Sequence, residues 1–454
     1  MVDNVTNLQT VLTSQMFMEP AEDFHTTATG LILPKDPHNT QLALRLLGIH
    51  FRWNDFEQTV EVHTLPSDFP GGFISLQAEL MDAGAERLRL LLNERWTFFP
   101  SKDLFETVVR DLAYHHRYHP VKEYLMAQVW DGVPRIERAF IDHAGAEDTP
   151  FNRAISRTWF IAGVRRIRVP GAKFDTLIVL ESRQGKNKSS FLRLMAIQEA
   201  WFTDDLPFGE KSREIIEQTS GVWIVEFPDL TGLSKRELNQ VKSFITRQTD
   251  KARKAYGRRA EKVGRQWIGA ATSNDDEYLS DNENRRWWPM AVKLFDLAWF
   301  QANRDQLWAE AAHYEAQGES ITLPESLWEA AAEVQASREI PNPFFDHLQA
   351  MYHGGPGEER RWGWVTINDV WNSLKIPIDR RASQCAKLGA AMKKLGFIKL
   401  RVRNRNGDLH GPFGTQYYQR GESDRDLTPP GTTTGPWHGG NTVVMALGND
   451  DVDM

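Results

Sequence analysis

The chain has 454 residues, of which 41% are hydrophobic and 25% are charged, and its formal net charge is −7. This length exceeds what one hydrophobic core usually supports, so we expect two to four domains. No apolar run reaches the length of a membrane span, and the first ten residues lack the basic and apolar regions of a signal peptide. Cys385 is the only cysteine, which excludes an internal disulfide and a cysteine zinc site and fits a reducing cytoplasm.

Positive charge is concentrated in one late stretch of the chain. Residues 360–420 hold 13 Lys or Arg against three acidic residues, so this stretch carries about +10 and the remainder about −17. The negative total argues against a protein that coats nucleic acid with its whole surface. The basic stretch is typical of a local nucleic-acid contact.

Residues 1–117 are expected to form an α+β region, for which the sequence indicates no role. The predicted elements are a helix followed by strands and then two amphipathic helices, at residues 42–53, 56–62, 73–92 and 103–116. His115, His116 and His119 lie close together, but no acidic residue stands at ligand spacing. We therefore interpret them as solvated surface histidines and not as a metal site.

Residues 118–310 are expected to form an α/β domain that binds a nucleotide. Residues 119–170 are predicted to be mainly helical, with Pro120 and Pro134 as interruptions. Beyond them, short apolar runs suit strands buried on both faces of a parallel sheet, and helical patterns lie between these runs. The predicted strands cover residues 174–180, 222–227 and 267–272, and the predicted helices cover 190–197 and 235–247.

The segment TLIVLESRQGKNKSSFLRL, residues 176–194, has the layout of a phosphate-binding loop. In such a loop backbone N–H groups surround the phosphates, Lys188 reaches the β- and γ-phosphates, and Ser189 ligates Mg²⁺. Ser182 and Asn187 stand where the usual pattern has glycine. Asparagine tolerates left-handed backbone, so Ser182 is the greater departure, and an ordinary helix start explains the segment alone equally well. The predicted nucleotide-binding residues are Ser182, Gln184, Gly185, Lys186, Asn187, Lys188, Ser189 and Ser190.

Polar side chains end the two later predicted strands. Glu226 ends an apolar run and Asp229 follows it, where a phosphate-loop ATPase needs carboxylates to hold Mg²⁺ and to orient the attacking water. Asn274 follows the next strand and is placed to contact the γ-phosphate or that water. The alternatives are an acidic turn and a strand-terminating asparagine, both of which are common.

Two basic segments accompany these strands. Residues 247–265 carry many Lys and Arg, with Tyr256-Gly257 suited to a hairpin turn, and Arg258, Arg259 and Lys262 are predicted to contact a nucleic-acid backbone. A solvated basic helix is the alternative. Arg285 and Arg286 stand beside two tryptophans, where either is a candidate arginine finger that enters the site of a neighbouring subunit. Packing of an arginine pair on tryptophan is the competing interpretation.

Residues 311–344 are expected to be a helical linker, and residues 345–421 a winged helix. Helices are predicted at 365–374, with Asn368 as its cap, and at 380–395, followed by a hairpin at 396–418 that turns at Asn406-Gly407. One face of the first hairpin strand is apolar and the other is basic, which favours DNA binding over a merely solvated basic face. The predicted DNA-binding residues are Arg381, Lys393, Lys394, Lys399, Arg401, Arg403 and Arg405.

Residues 422–454 are rich in Pro, Gly and Thr and end in acidic residues, so we expect a disordered acidic tail. Such a tail is either a simple solvated end or a contact for partner proteins, as acidic C-terminal tails are on DNA-binding replication proteins.

From about His119 to Val292 the sequence resembles the virulence-associated protein E (VapE-like) family of phages and mobile elements. The most specific elements are Trp-Asp-Gly-Val-Pro-Arg at residues 130–135 and Asn-Arg-Arg at residues 284–286. Further matching elements, in chain order, are His119-Pro120-Val121, Tyr124-Leu125, Pro170-Gly171, Lys173, Asp175, Leu180-Glu181, Gln184-Gly185, residues 223–226, Asp250, Arg253, Tyr256-Gly257, Thr272, Asn274, residues 277–279 and Trp288-Pro289.

The resemblance implies a P-loop AAA+-like ATPase core of the superfamily 3 helicase type, which acts as a ring, usually a hexamer, on single-stranded DNA. It assigns the Walker A roles to Lys188 and Ser189 and the Walker B roles to Glu226 and Asp229. It assigns the sensor to Asn274 and the finger to Arg285 or Arg286. The family usually has glycine at Ser182 and Asn187 and Glu at Asp229, and the two missing glycines bring efficient turnover into question.

Two functions follow as hypotheses. The first is an ATP-dependent DNA helicase or replication initiator of a phage or mobile element, located in the host-cell cytoplasm. It would use ATP and Mg²⁺ and bind single-stranded DNA in the channel of a homo-oligomeric ring, duplex DNA at the winged helix, and no membrane. The second is a nucleotide-sensing DNA-binding protein with an impaired ATPase that regulates or interferes with replication.

Overall fold

The computed structural model describes residues 23–206, 218–230, 235–253, 260–279, 284–353, 363–402, 416–420 and 444–446. The chain divides into two compact units, one of residues 1–276 and 285–335 and the other of residues 277–284 and 336–454. Helices alternate with strands, and one of the sheets is parallel, so the expected mixed α/β fold with a parallel sheet is confirmed.

The N-terminal region of the first unit is a four-stranded sheet covered by helices. Its elements are α1 (Pro37–Leu46), β1 (His50–Asn54), β2 (Thr59–Thr64), β3 (Ala78–Glu79), α2 (Asp82–Trp96), α3 (Lys102–His115) and β4 (Arg117–Tyr118). The strand order is β3-β2-β1-β4, with β4 parallel to β1 and the other pairs antiparallel. Phe51, Trp53 and Val62 of the sheet pack against Leu88 and Phe105 of the helices in one buried cluster.

The helix predicted over residues 73–92 is wrong for its first half. Helix α2 begins only at Asp82, because Ala78 and Glu79 pair with Val62 and Glu61 as strand β3. The helical spacing of Leu, Glu and Arg is real in the second half of the prediction. In the first half, pairing with β2 overrides it.

His119 is buried, which corrects the surface interpretation for this one histidine, whereas His115 and His116 are exposed as predicted. Its exposure is 7%, and its ring lies 5.2 Å from the ring of Phe56. Nδ1 accepts the N–H of Lys122 at the start of the next helix, so Nε2 donates to the side chain of Gln266 at 2.6 Å. Burial lowers the pKa of His119. Within the described residues, no three His, Cys, Asp or Glu side chains are grouped to hold a metal ion.

Three helices follow, namely α4 (Pro120–Ala127), α5 (Ala139–Ala144) and α6 (Pro150–Arg168). The Trp-Asp-Gly-Val-Pro-Arg segment lies between α4 and α5 and is tied to a later helix, α9 (Leu297–Ala316). The Asp131 N–H donates to Gln306 at 2.9 Å, and the N–H of Arg135 donates to the fully buried Glu310 at 2.6 Å. Arg135 also forms two hydrogen bonds with the carboxylate of Asp131, at 2.8 and 2.7 Å. These contacts give the segment a structural role in joining the helices.

A five-stranded parallel sheet forms the centre of the first unit. Its strands are β5 (Leu177–Glu181), β6 (Phe202–Thr203), β7 (Ile224–Phe227), β10 (Ile268–Ser273) and β11 (Trp287–Ala291), in the order β11-β5-β10-β7-β6. All neighbouring pairs are parallel, so their carboxyl ends meet at one edge, which we call the carboxyl edge. Every residue of β5, β7 and β10 is buried, as expected for a sheet with helices on both faces. Helices α6, α9 and α7 (Lys188–Met195) pack with the sheet in one core.

The predicted basic hairpin is present before β10. Helix α8 (Lys235–Thr246) leads into β8 (Thr249–Arg253), which pairs antiparallel with β9 (Ala260–Gly264). Its predicted turn at Tyr256-Gly257 lies outside the described residues.

The base of the hairpin is locked by a buried ion pair. The Arg265 guanidinium donates to both carboxylate oxygens of Asp250 at 2.6 and 2.8 Å, and their side chains are 1% and 10% exposed. The same guanidinium donates to the carbonyl of Phe244 and lies 4.0 Å and 5.0 Å from the rings of Phe244 and Trp267. Trp267 directly precedes β10, so the pair fixes the hairpin to the start of that strand.

Helix α9 spans residue 310, the predicted end of the nucleotide-binding domain, and α10 (Trp328–Ala336) follows it. The second unit contains α11 (Phe345–His353), β12 (Gly363–Thr366), α12 (Ile367–Ser373), α13 (Ile378–Lys394), β13 (Ile398–Val402), β14 (Gln416–Arg420) and β15 (Val444–Ala446). The strand order is β12-β14-β13-β15 with antiparallel pairs. Leu348, Trp371, Leu388 and Met392 belong to its buried core.

Two predictions about the second unit need correction. The helix predicted from Val365 begins at Ile367, because Val365 and Thr366 pair with β14, and the proposed cap Asn368 lies inside the helix. Residues 444–446 form β15 on the edge of β13, so the expectation of a disordered tail is wrong for these three residues. The rest of residues 422–454 and the Asn406-Gly407 turn lie outside the described residues.

Candidate functional site

The loop between β5 and α7 has two residues with left-handed backbone. Gly185 has φ of 78°, and Asn187 has φ of 63° and ψ of 23° immediately before α7 begins at Lys188. Asparagine is one of the few residues other than glycine that adopts this conformation at low cost. Ser182 has no positive φ, so the backbone there does not require glycine. The loop is attached to the rest of the unit through Phe295, whose N–H donates to the carbonyl of Lys186 at 3.3 Å.

The ammonium group of Lys188 lies at the centre of the site. It donates to the carbonyl and the hydroxyl of Ser182 at 2.5 and 3.1 Å, to the carbonyl of Ser273 at 3.1 Å and to Oδ1 of Asn274 at 3.1 Å. Lys188 is 8% exposed, and burial lowers its pKa, while the nearby Glu226 and Asp229 carboxylates raise it. The Lys188 amine therefore links the loop to the end of β10.

Ser189, Glu226 and Thr272 meet beside this lysine. The Ser189 hydroxyl donates to Oε1 of Glu226 at 2.8 Å, and the Thr272 hydroxyl donates to the same oxygen at 3.1 Å. Oε2 of Glu226 is buried and has no hydrogen-bond partner, and burial raises the pKa of this carboxyl. An unsatisfied buried carboxylate oxygen is uncommon and marks a group suited to binding a ligand.

Asp229 lies on the same edge, two residues after the end of β7. Its side chain is exposed, its φ is 44°, and its N–H donates to Thr272 at 3.4 Å. The other predicted loop residues lie at the surface. Gln184, Gly185 and Ser190 are exposed, and Lys186 and Asn187 are half-buried.

Arg285 and Arg286 lie at the opposite end of the sheet. The Arg286 carbonyl accepts the N–H of Leu177, the first residue of β5, at 2.7 Å. The phosphate-loop candidate begins beyond the other end of β5, about 16 Å away at the usual rise per residue of a parallel strand. We call this end the amino edge. Arg285 is exposed, whereas Arg286 is partly buried and has Nε 3.7 Å from Asp175.

The predicted DNA-binding residues are only partly described. Lys262 is exposed on β9, and Lys393 and Lys394 are exposed at the end of α13. Lys394 is 3.0 Å from Glu339, and the Arg381 guanidinium is engaged by the carbonyl of Ile376 and the side chain of Asn372. Lys399 and Arg401 stand two positions apart on β13. Arg258, Arg259, Arg403 and Arg405 lie outside the described residues.

The prediction missed the roles of Thr272 and Ser273 in the site. Thr272 donates to Glu226, and the Ser273 carbonyl accepts from Lys188 and from the N–H of Ser182. The signal was present as the run Thr-Ser-Asn at the end of an otherwise apolar strand, where polar residues are costly to bury without a partner.

A protein-family model, the virulence-associated protein E-like domain, matches residues 125–340. The chain contains a VapE-like domain. This domain includes the central sheet, the candidate site, the hairpin and both arginines of the amino edge. None of the helices in the described parts of the chain has the length and hydropathy needed to cross a bilayer.

Among solved structures, the apo structure of the NrS-1 C-terminal region (305–718) aligns with 85% of this chain and 100% of its own, at 10% identity and a TM-score of 0.45. An A-form apo structure of the same region aligns over the same shares at 11% identity and a TM-score of 0.43. The comparison with curated proteins found no match.

Proposed function

We propose that this protein is an ATP-dependent DNA helicase or replication initiator ATPase of a phage or mobile element, and that it moves along single-stranded DNA as a homo-oligomeric ring. The observation that carries the proposal is the convergence of Lys188, Ser189, Glu226 and Asn274 at the carboxyl edge. Three separated parts of the chain supply them, and the strand that carries Asn274 lies between the loop strand and the acidic strand. If Lys188 and Ser189 merely began an ordinary helix, there would be no reason for Glu226 and Asn274 to meet them.

The residues present fit Mg²⁺ and ATP. The Ser189 hydroxyl and the Glu226 carboxylate are hard oxygen donors 2.8 Å apart, the second Glu226 oxygen is unsatisfied, and Asp229 adds a carboxylate at the same edge. When bound, Mg²⁺ neutralises charge on the β- and γ-phosphates. Lys188 would hold the phosphate oxygens in place of its present partners, and the N-terminus of α7 would direct backbone N–H groups toward them. Asn274, released from Lys188, would orient the attacking water.

The position of Arg285 and Arg286 supports an oligomer. Both lie at the amino edge, so neither reaches the nucleotide of its own chain without rebuilding the sheet. A neighbouring chain packed edge to edge brings one of them to that nucleotide, where a guanidinium stabilises charge on the transferring phosphoryl group. The composite site of a ring fits this geometry, and a monomer does not complete it.

One observation favours the second function, a nucleotide-sensing protein with an impaired ATPase. The Lys188 ammonium is already surrounded by four oxygen atoms of Ser182, Ser273 and Asn274. Nucleotide binding has to displace them, which weakens affinity for ATP and slows each turnover.

Measurement of ATP turnover by the full chain, with and without single-stranded DNA, separates the two functions. We expect DNA-stimulated turnover that Lys188→Ala abolishes. Lys35→Ala is the matched control, since it removes an exposed lysine of the N-terminal region that lies outside the candidate site. ATP binding without turnover supports the second function, and equal turnover in all three proteins removes the site from consideration.

A further inference from the structure

A second basic feature lies apart from the nucleotide site, at the amino edge. It is an open depression of about 310 Å³ lined by Lys242, Ser243, Thr246, Arg247 and Arg286. The first four residues belong to the end of α8 and the residue just after it, and Arg286 precedes β11. We call it the amino-edge pocket.

The chemistry of this pocket is that of an anion site. Of the five lining residues in the described part of the chain, three are cations, two carry hydroxyls, and none is acidic. The Thr246 hydroxyl donates to the carbonyl of Lys242 at 2.7 Å, so Ser243 is the hydroxyl available as a donor. Arginine and lysine together with a hydroxyl donor form the usual set of protein contacts to a phosphate group.

Arg286 is held in a way that leaves it able to bind an anion. Its Nε is buried and donates no hydrogen bond within the described residues, and a carboxylate oxygen of Asp175 lies 3.7 Å away. That separation is too long for a hydrogen bond, so Asp175 orients the guanidinium and does not satisfy it. An incoming oxyanion would supply the missing acceptor.

The location of the pocket identifies the source of the anion. Arg247 is two residues before β8, so the pocket lies at the foot of the basic hairpin, whose strand β9 carries the exposed Lys262. A strand of DNA that follows the hairpin to its foot would therefore pass beside the pocket. The nucleotide of the same chain lies at the other end of the sheet and does not reach it.

We infer that the amino-edge pocket binds a backbone phosphate of single-stranded DNA that runs along the hairpin. The inference rests on the proposed function for its choice of DNA as the ligand. It also assigns Arg286 to DNA and leaves the exposed Arg285 as the arginine finger.

The test compares binding of labelled oligothymidine to the full chain without nucleotide, over a series of salt concentrations. For Lys242→Ala/Arg247→Ala we expect weaker binding and a salt dependence flatter by about 1.4 in log–log slope, since each contact to a single strand contributes roughly 0.7. The control Lys35→Ala/Lys102→Ala removes the same charge from two exposed lysines of the N-terminal region and should leave affinity and slope as in the wild type.

Three results would overturn the inference. They are wild-type affinity and slope in the pocket variant, an equal loss in the control variant, and no binding of the wild type. If the pocket variant binds DNA normally but loses DNA-free ATP turnover, the pocket is assigned instead to a nucleotide held by a neighbouring subunit. If the double variant does not fold, charge reversal at the exposed Arg247 (Arg247→Glu) must weaken binding instead. ATP turnover of the wild type is scored separately, so its absence refutes the proposed ATPase without deciding the pocket.

Discussion

Replacement of Asp250 by alanine should destabilise the hairpin strongly, because it leaves the buried Arg265 guanidinium without its carboxylate. Two charge-assisted hydrogen bonds are lost, at 2.6 and 2.8 Å, each worth about 1.5–3 kcal/mol. Breaking a buried ion pair by removal of one partner costs about 3–5 kcal/mol, which agrees with that sum. Stacking of Arg265 on Phe244 and Trp267 keeps the guanidinium in place, so it cannot turn out to solvent to recover hydration.

Hydrogen exchange of the backbone amides of β8 and β9 measures this loss, since the unfolding of a chain with two units does not follow one transition. A loss of 3–5 kcal/mol corresponds to a fall in protection of roughly 150- to 5,000-fold. The double replacement Asp250→Leu/Arg265→Met should recover much of the protection, because no uncompensated charge remains. Glu94→Ala is the control, since it breaks the exposed pair with Arg87. Protection in Asp250→Ala that falls no further than in this control would refute the role of the buried pair.

Three further predictions concern the proposed activity. Glu226→Gln should retain nucleotide binding but lose most ATP turnover, because it keeps the shape of the side chain and removes its charge; wild-type turnover would show that the acidic strand end is misassigned. Arg285→Ala protein mixed with Lys188→Ala protein should regain some turnover, since mixed rings contain intact composite sites, and failure to complement with assembly verified would argue against a finger in trans. Lys393→Ala/Lys394→Ala in the full chain should weaken duplex DNA binding and flatten its salt slope by up to about 1.8, and an unchanged slope would remove the DNA-binding role of these lysines.

The sequence predicted the elements around the candidate site closely, because buried parallel strands have a distinctive pattern. The apolar runs ending at Glu226 and Thr272 become β7 and β10, and their polar ends meet as expected from parallel neighbours. Asn187 stands where the usual pattern has glycine, and its left-handed backbone confirms that asparagine takes the conformation for which glycine is usual.

Other features were not predictable from the chain alone, because they depend on contacts between distant segments. The spacing of His119 to its neighbours gave no sign that Gln266, 147 positions later, would bury it. Helix α2 begins late because the residues before it pair with β2 as strand β3. Residues 444–446 form a strand because they pair with the edge of β13. Asp250 and Arg265 belong to a run of mostly basic residues, and this pattern does not distinguish a buried arginine from exposed ones. Arg265 is nevertheless one of the most buried cations of the described chain.

Strand β10 runs from the amino edge to the carboxyl edge of the sheet. It therefore joins the base of the hairpin to the candidate nucleotide site, and a motor needs such a link between DNA and ATP. Its first neighbour, Trp267, packs against Arg265 at the hairpin base, and its last residue, Ser273, accepts from the Lys188 ammonium. All six residues of the strand are buried, so it cannot bend toward solvent and is expected to shift as one body. On the proposed function, a displacement of the hairpin by DNA would therefore change the oxygen partners of Lys188, and a phosphate that took Lys188 from Ser273 would release the strand in return. Coupling of this kind is reciprocal, so DNA should raise nucleotide affinity by the same factor by which the nucleotide raises affinity for DNA.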